Sequence, residues 1–181
     1  MDKRVCHCCE YAMLKKTPRG GIVIPLEGGW TLNHFSGKSR NILGRLVLVT
    51  QKHYPTLSEL GDTEASKLGI HVKGIESALK ECSVGPYKHD PIEGIYTAYF
   101  NETQPQHVHV HIFPRNKALI NALNKLAEPF DVWKLGKLLE YQRFHDDYKV
   151  VKDGRLINEN LIEKLMRYLS RVLANETTKI K

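Results

Sequence analysis

His107-Val108-His109-Val110-His111-Ile112-Phe113-Pro114 is the stretch on which the fold turns. Histidine alternates with a branched apolar residue, and a two-residue period is the side-chain period of a β-strand. All three imidazoles therefore leave one face, while Val108, Val110 and Ile112 leave the other. The pattern predicts a strand wet on its histidine face and buried on the opposite one, ended at Pro114 by loss of a ladder donor. Same-face neighbours stand about 6.6 Å apart at roughly 3.3 Å rise per residue. Two imidazoles can thus meet one small anionic group while the third reaches elsewhere.

Three chemistries compete for such a face. Half-buried histidines with no task are common singly, but three together repel once any is protonated near neutral pH. A His-x-His pair with neutral rings is also a familiar metal-binding arrangement. The third possibility is nucleophilic catalysis, in which one ring forms a covalent intermediate while its neighbours hold the developing charge. Three successive same-face rings span about 13 Å, too wide for one ion. That width weighs against a catalytic metal held by all three.

The residues here resemble the histidine triad superfamily of nucleotidyl hydrolases and transferases, whose signature is His-φ-His-φ-His-φ-φ with φ apolar. Upstream, Gly44-Arg45-Leu46-Val47-Leu48-Val49 and then Gln51-Lys52-His53 are similar to the family's Gly-x-Leu-x-Val strand and the basic-His turn after it. The resemblance covers residues 5–116. It implies an α+β domain over residues 1–116, an antiparallel β-sheet with a packed helix, and leaves the last third unexplained; the residues themselves read there as a helical C-terminal extension over 117–181. It also implies His109 as nucleophile, attacking the α-phosphorus of a nucleotide to form a nucleotidyl-histidine intermediate. The implied substrates are a dinucleoside polyphosphate, such as a diadenosine polyphosphate, or a nucleoside phosphoramidate. His111 would hydrogen-bond phosphate oxygens, Asn33 the ribose or phosphate, and Thr103 and Gln104 the scissile phosphate or leaving group. Family members commonly form homodimers, which is the expectation here. Two departures stand out: Arg45 replaces the histidine that some relatives carry after the glycine, and the 102–106 loop has a proline and no glycine.

Cys6, Cys8 and Cys9 crowd the N-terminus, and Cys82 stands alone. In a reducing compartment Cys-x-x-Cys reads as metal or redox chemistry. Cys6 and Cys9 have the spacing that lets two thiolates share a tetrahedral ion, with Cys8 open as a substitute for Cys9. In zinc-bearing members of the resembled family the remaining ligands correspond to His53 and His107. That Cys2His2 set closes the shell, so the implied zinc is structural, clamping the N-terminal loop to the histidine strand. The implied chemistry itself needs no metal. Cys82 reads as a small buried hydrophobe.

The formal charge of +7 over 181 residues suits a polyanionic ligand, whether nucleotide, polyphosphate or nucleic acid strand. Lysines scattered throughout make a solvated basic surface the default, and nucleic acid is not favoured. No apolar run approaches a membrane span. Met1-Asp2-Lys3-Arg4-Val5-Cys6 has no secretory h-region, so a cytoplasmic protein is expected. Pro18-Arg19-Gly20-Gly21 reads as a turn, and strands are expected at 22–25, 30–35, 46–50 and 95–101, the third covered on both faces. Ser58, Asp62 and Thr63 offer N-caps to a helix whose apolar stripe is Leu68, Val72, Ile75 and Leu79. His71 and His89 belong to no motif and are expected at the surface. Helices are expected at 118–126 and 132–144, and after Asn158 a final one lined by Leu161, Leu165, Leu169 and Val172, with a frayed tail from 175. Two rival functions stay open: a metal-dependent phosphoesterase using the histidine cluster, and a nucleotide- or RNA-binding module without turnover.

Overall fold

The computed structural model describes residues 6–13, 17–35, 43–100, 105–117, 121 and 159–179. The expected helix at 132–144, nearly all of that at 118–126, and Thr103 and Gln104 lie outside the described residues. Five strands, β1 (Arg19–Leu26), β2 (Trp30–His34), β3 (Leu46–Thr50), β4 (Gly94–Ala98) and β5 (His109–Arg115), form one antiparallel sheet in the order β1-β2-β3-β5-β4. Helix α1 spans His7–Ala12, α2 spans Asp62–Lys80 and α3 spans Glu159–Lys179. After β3 the chain crosses through α2 to the edge strand β4. It then returns between β4 and β3, so the histidine strand is central.

The alternation read from the sequence decides which side chains enter the core. Trp30, Leu32, Leu46, Leu48, Val108, Val110 and Ile112 leave one face of the sheet and join Ile75 and Leu79 of α2 and Ile162, Leu165, Met166 and Leu169 of α3 in a single cluster. The α3 stripe is thus displaced slightly from the expected one: Ile162, Met166 and Leu173 supplement Leu165 and Leu169, while Leu161 and Val172 are half-buried. Gly20 sits with φ +75°, and a Cβ there would meet Ile162 Cγ2 at 2.6 Å, so α3 seats where β1 has no side chain. The Gly20 N–H donates to Glu159 Oε2 at 2.9 Å, and the Tyr168 hydroxyl donates to the Ala78 carbonyl at 3.0 Å, tying α3 to both β1 and α2.

Several expectations need correction. The turn over 18–21 does form, closed by the Gly21 N–H donating to the Pro18 carbonyl at 3.0 Å, but it falls inside β1 as an irregularity where the register shifts between Arg19 and Val23. Pro114 does not end β5, which pairs Pro114 with Ile95 and Arg115 with Gly94. Pairing with β3 stops at Ile112, so beyond that point β5 has a single partner and tolerates the missing donor. The cap of α2 is Gly61, with no side-chain capping bond. Helix α3 stays helical to Lys179, into the segment expected to fray. His71 is buried, not at the surface: it lies one turn before Ile75 on the α2 stripe, and its Nε2 meets the Glu27 carbonyl at 2.8 Å. Burial lowers its pKa below the ordinary value.

Candidate functional site

The opposite face of the sheet carries the histidines, and strand register arranges it in rows. Asn33, Val47, His111 and Ala98 stand opposite one another across β2, β3, β5 and β4. Thr31, Val49 and His109 form the next row. On the other side of His111 lies Arg45, joined to Phe35 by the bond from the Phe35 N–H to the Arg45 carbonyl at 2.8 Å. Successive rows are about 6.6 Å apart, two residues along a strand. Contrary to the expected wet face, His107, His109 and His111 are only 0, 3 and 3 % exposed. Their cover includes Cys6 and Cys9 at one end and Phe35, Phe100 and Phe113 at the other, and between them α1 lays Cys8 and Ala12 over Val47 and Val49.

At the His107 end four side chains converge. Cys6 stands at the N-cap of α1 and Cys9 one turn into it, so both sulfurs leave the same side of the helix. Cys6 Sγ lies 3.2 Å from His107 Nδ1, and Cys9 Sγ lies 3.3 Å from both His53 Nδ1 and His107 Nδ1. The two Nδ1 atoms are 3.3 Å apart, and all four donor atoms fall within 4.8 Å of one another. An ion with metal–sulfur bonds of about 2.3 Å and metal–nitrogen bonds of about 2.0–2.1 Å has tetrahedral edges of this size. The turn that brings His53 is pinned where the Val108 N–H donates to the Tyr54 carbonyl at 2.8 Å. His107 Nε2 faces the Thr50 carbonyl at 2.9 Å, with the Thr50 hydroxyl at 3.0 Å. Donation from Nε2–H to that carbonyl fixes the tautomer that leaves the Nδ1 lone pair toward the sulfurs. Burial pushes the His107 pKa down to about 4, against an upward pull from the Thr50 bond and with further lowering by His53 and His109. The donor set therefore fits zinc. Cys8, which the sequence left open as a ligand, instead packs with Val47 and Val49, and burial, then Cys6 and Cys9, push its thiol up to about 12.

One row along, His109 Nδ1 lies 2.7 Å from the His107 carbonyl. That carbonyl only accepts, so Nδ1 carries the proton and Nε2 the lone pair. His111 follows, its ring centroid 4.9 Å from that of His109 and enclosed by Phe35, Phe100 and Phe113 at 5.6, 5.4 and 6.0 Å. Burial first, then His109 and Arg45, lower its pKa to about 3, so the ring is neutral with one N–H and one lone pair. Among the described residues no partner meets either ring nitrogen of His111 or the buried Nδ2 of Asn33. Unmet buried polar atoms of this kind are expensive, and these lie in one row of the histidine face. Asn33 is thus brought to that face. Thr103 and Gln104 are outside the described residues.

Two neighbours of the site escaped the sequence reading. Thr50, as the final residue of an apolar strand, gave no sign that its carbonyl would orient His107. Arg45 did give one: it precedes Val47 and Val49 at a two-residue period, which places a charged side chain on the histidine face. Its guanidinium carbon lies 3.7 Å from the Phe35 ring centroid and 4.9 Å from that of Phe113, and the residue is 1 % exposed.

No family model and no curated protein matches the sequence. Solved structures do match the fold. A hypothetical histidine triad nucleotide-binding protein from Sulfolobus tokodaii aligns over 97 % of this chain and 96 % of its own, with TM-score 0.55 and 17 % identity. A Zn-bound histidine triad family protein from Mycobacterium smegmatis aligns over 96 % of each chain, with TM-score 0.54 and 15 % identity. A Hit-like protein involved in cell-cycle regulation, from Bartonella henselae, aligns over 91 % of this chain and 93 % of its own, with TM-score 0.52 and 12 % identity.

Proposed function

The chain has the histidine triad fold, and from that premise we propose that it is a nucleotidyl hydrolase or transferase working through a covalent intermediate on His109. One observation carries the reading: the 2.7 Å bond to the His107 carbonyl fixes the His109 proton on Nδ1 and leaves Nε2 nucleophilic. Nε2 attacks the α-phosphorus, a P–N bond forms, and the bond to the leaving group breaks with its electron pair. The leaving group takes up a proton. Water or another acceptor then attacks the same phosphorus, the P–N bond breaks, and the acceptor's proton is released. The Nδ1–H bond to the carbonyl strengthens as the ring becomes cationic, which stabilises the intermediate. His111 donates its single N–H to a phosphate oxygen, and the Asn33 amide offers a second contact to ribose or phosphate.

Zinc fits the Cys6, Cys9, His53 and His107 cluster, and the Mycobacterium smegmatis protein of the same fold is Zn-bound. In this reading the ion clamps α1 against β5 and supplies no chemistry to the reaction. A phosphoesterase using a metal on all three strand histidines is less well supported: His107 turns Nδ1 to the cysteines, while His109 commits Nδ1 to a carbonyl.

The test is intact mass spectrometry after brief mixing with diadenosine tetraphosphate and, separately, with adenosine phosphoramidate, with AMP release followed in the same samples. A transient gain of one AMP in the wild type, absent in His109→Ala, is the expected result, and the productive substrate identifies the leaving group. Nucleotide binding with neither adduct nor AMP release would leave a binding module and sink the catalytic reading.

A further inference from the structure

Arg45 is the one charged side chain among the described residues that lies on the histidine face and is almost wholly buried. A guanidinium stays protonated under any condition in which the protein folds, so its burial needs compensation. Part comes from the Phe35 and Phe113 rings, which present their π-faces at 3.7 and 4.9 Å. The same rings flank His111, at 5.6 and 6.0 Å between centroids. Arg45 and His111 therefore share one aromatic enclosure, on adjacent strands and one row apart.

We propose that Arg45 is a positioning residue that supplies the site with a fixed positive charge, held between Phe35 and Phe113 behind His111, which draws the substrate's phosphate onto His109 and His111 without touching it. The proposal rests on the nucleotide reading of that site. Arg45 stands one row, about 6.6 Å, beyond His111 on the side away from His109, so it acts on a phosphate held by those two rings through its field. Among the described residues, the groups facing His111 that carry or acquire charge are Arg45 from β3 and His109 from β5. Strand β2 presents Asn33, the residue after it is Phe35, and the segment after β4 presents Phe100. Arg45 is one of the causes that keep His111 from taking a proton. A field that opposes a second positive charge at His111 favours a negative one there, with the same sign and range. A neutral His111 donates one hydrogen bond to a phosphate oxygen, and the compensating charge sits one row behind it. This also accounts for the sequence departure at Gly44-Arg45, where a titratable histidine would give a charge that depends on pH.

The experiment compares AMP, a dianion, with adenosine, which has the same base and sugar and no charge. Dissociation constants are measured calorimetrically for the full-length wild type, Arg45→Gln, Arg45→Met and Arg45→Lys. The neutral variants are expected to weaken AMP roughly tenfold while leaving adenosine nearly unchanged, and Arg45→Lys is expected to recover most of the AMP loss. Equal losses for AMP and adenosine would make Arg45 a packing residue and overturn the proposal, as would failure of both neutral variants to fold. Wild type that binds neither ligand would overturn this proposal together with the nucleotide reading. Wild type that binds AMP in a charge-dependent way but forms no histidine adduct would refute only the catalytic reading.

Discussion

Acidification should expose the cost of burying His111. Its pKa is lowered to about 3 in the folded chain by burial, His109 and Arg45, against 6.5 in an exposed setting. Between these two values the unfolded chain binds a proton that the folded chain refuses. Stability therefore rises with pH in this window and is lost as pH falls from 6.5 toward 3. Each pH unit below 6.5 costs about 1.4 kcal/mol for one such group, so moving from pH 7.5 to pH 5 costs about 2 kcal/mol through His111 alone. For a chain of this size that corresponds to roughly 4–8 °C in thermal midpoint. Other buried histidines, His71 among them, add to the total slope, so the measurement is differential. Urea unfolding of wild type and His111→Asn is followed at pH 7.5, 6.5, 5.5 and 5.0. The variant is expected to start from its own baseline and lose about 2 kcal/mol less across the series. Parallel pH dependences in the two proteins would refute the claim that His111 is buried neutral.

Three further outcomes follow from the same geometry. His109→Ala should lose turnover by at least roughly a thousandfold while binding AMP within a few-fold of wild type, as read from initial rates and calorimetry; comparable residual turnover would remove the nucleophile. Metal analysis should find one zinc per chain, lost in Cys6→Ser, and at free zinc a hundredfold above the dissociation constant the ion should add about 2.7 kcal/mol to wild-type stability; Cys8→Ser should keep its zinc. Leu165→Ala in α3 should cost roughly 2–5 kcal/mol and Gly20→Ala more than about 1 kcal/mol, each in a single cooperative transition, whereas a separate transition for α3 would make the C-terminal part an independent unit.

Much of this architecture was legible because it rests on side-chain period. Alternation in 107–113 and the unbroken apolar, branched run at 46–50 mark two central strands, and the Leu68, Val72, Ile75, Leu79 spacing marks α2 and its buried face. The Cys6 and Cys9 spacing suggested a two-sulfur site, but its histidine partners lie 44 and 98 residues from Cys9. No local rule reaches that far, so only the resemblance named them. The misreadings have local causes. Histidine on an alternating strand suggests a wet face, yet an imidazole is compact and half apolar, and it goes inside when aromatic rings and a helix close over it. The same holds for His71, which belongs to no motif yet is buried because the helical period places it with Ile75. The turn at Pro18–Gly21 is legible from its glycines and forms, but its place inside β1 is not, because Ile162 of α3, far along the chain, occupies the space a side chain at Gly20 would need.

On the proposed reading, the positions along one face of β5 explain how a zinc held by Cys6, Cys9, His53 and His107 would serve His109 without entering the reaction. His107 uses its two halves for different ends. Its ring faces Cys6, Cys9 and His53, while its carbonyl accepts the His109 proton at 2.7 Å. A metal that fixes the ring also restrains the peptide that selects the His109 tautomer, because one residue carries both contacts. The Thr50 carbonyl faces the ring from the opposite side at 2.9 Å, so a metal on Nδ1 would fix the ring at both nitrogens. At the other end, Arg45 gives the phosphate end of the site its charge without adding a group that titrates. His109 and His111 stand between these two points, and on the proposed reading one offers its lone pair for attack while the other, a buried ring with unmet polar atoms, receives a phosphate. The apolar closure around His111 makes both effects stronger, since a field and a hydrogen bond count for more where water is excluded.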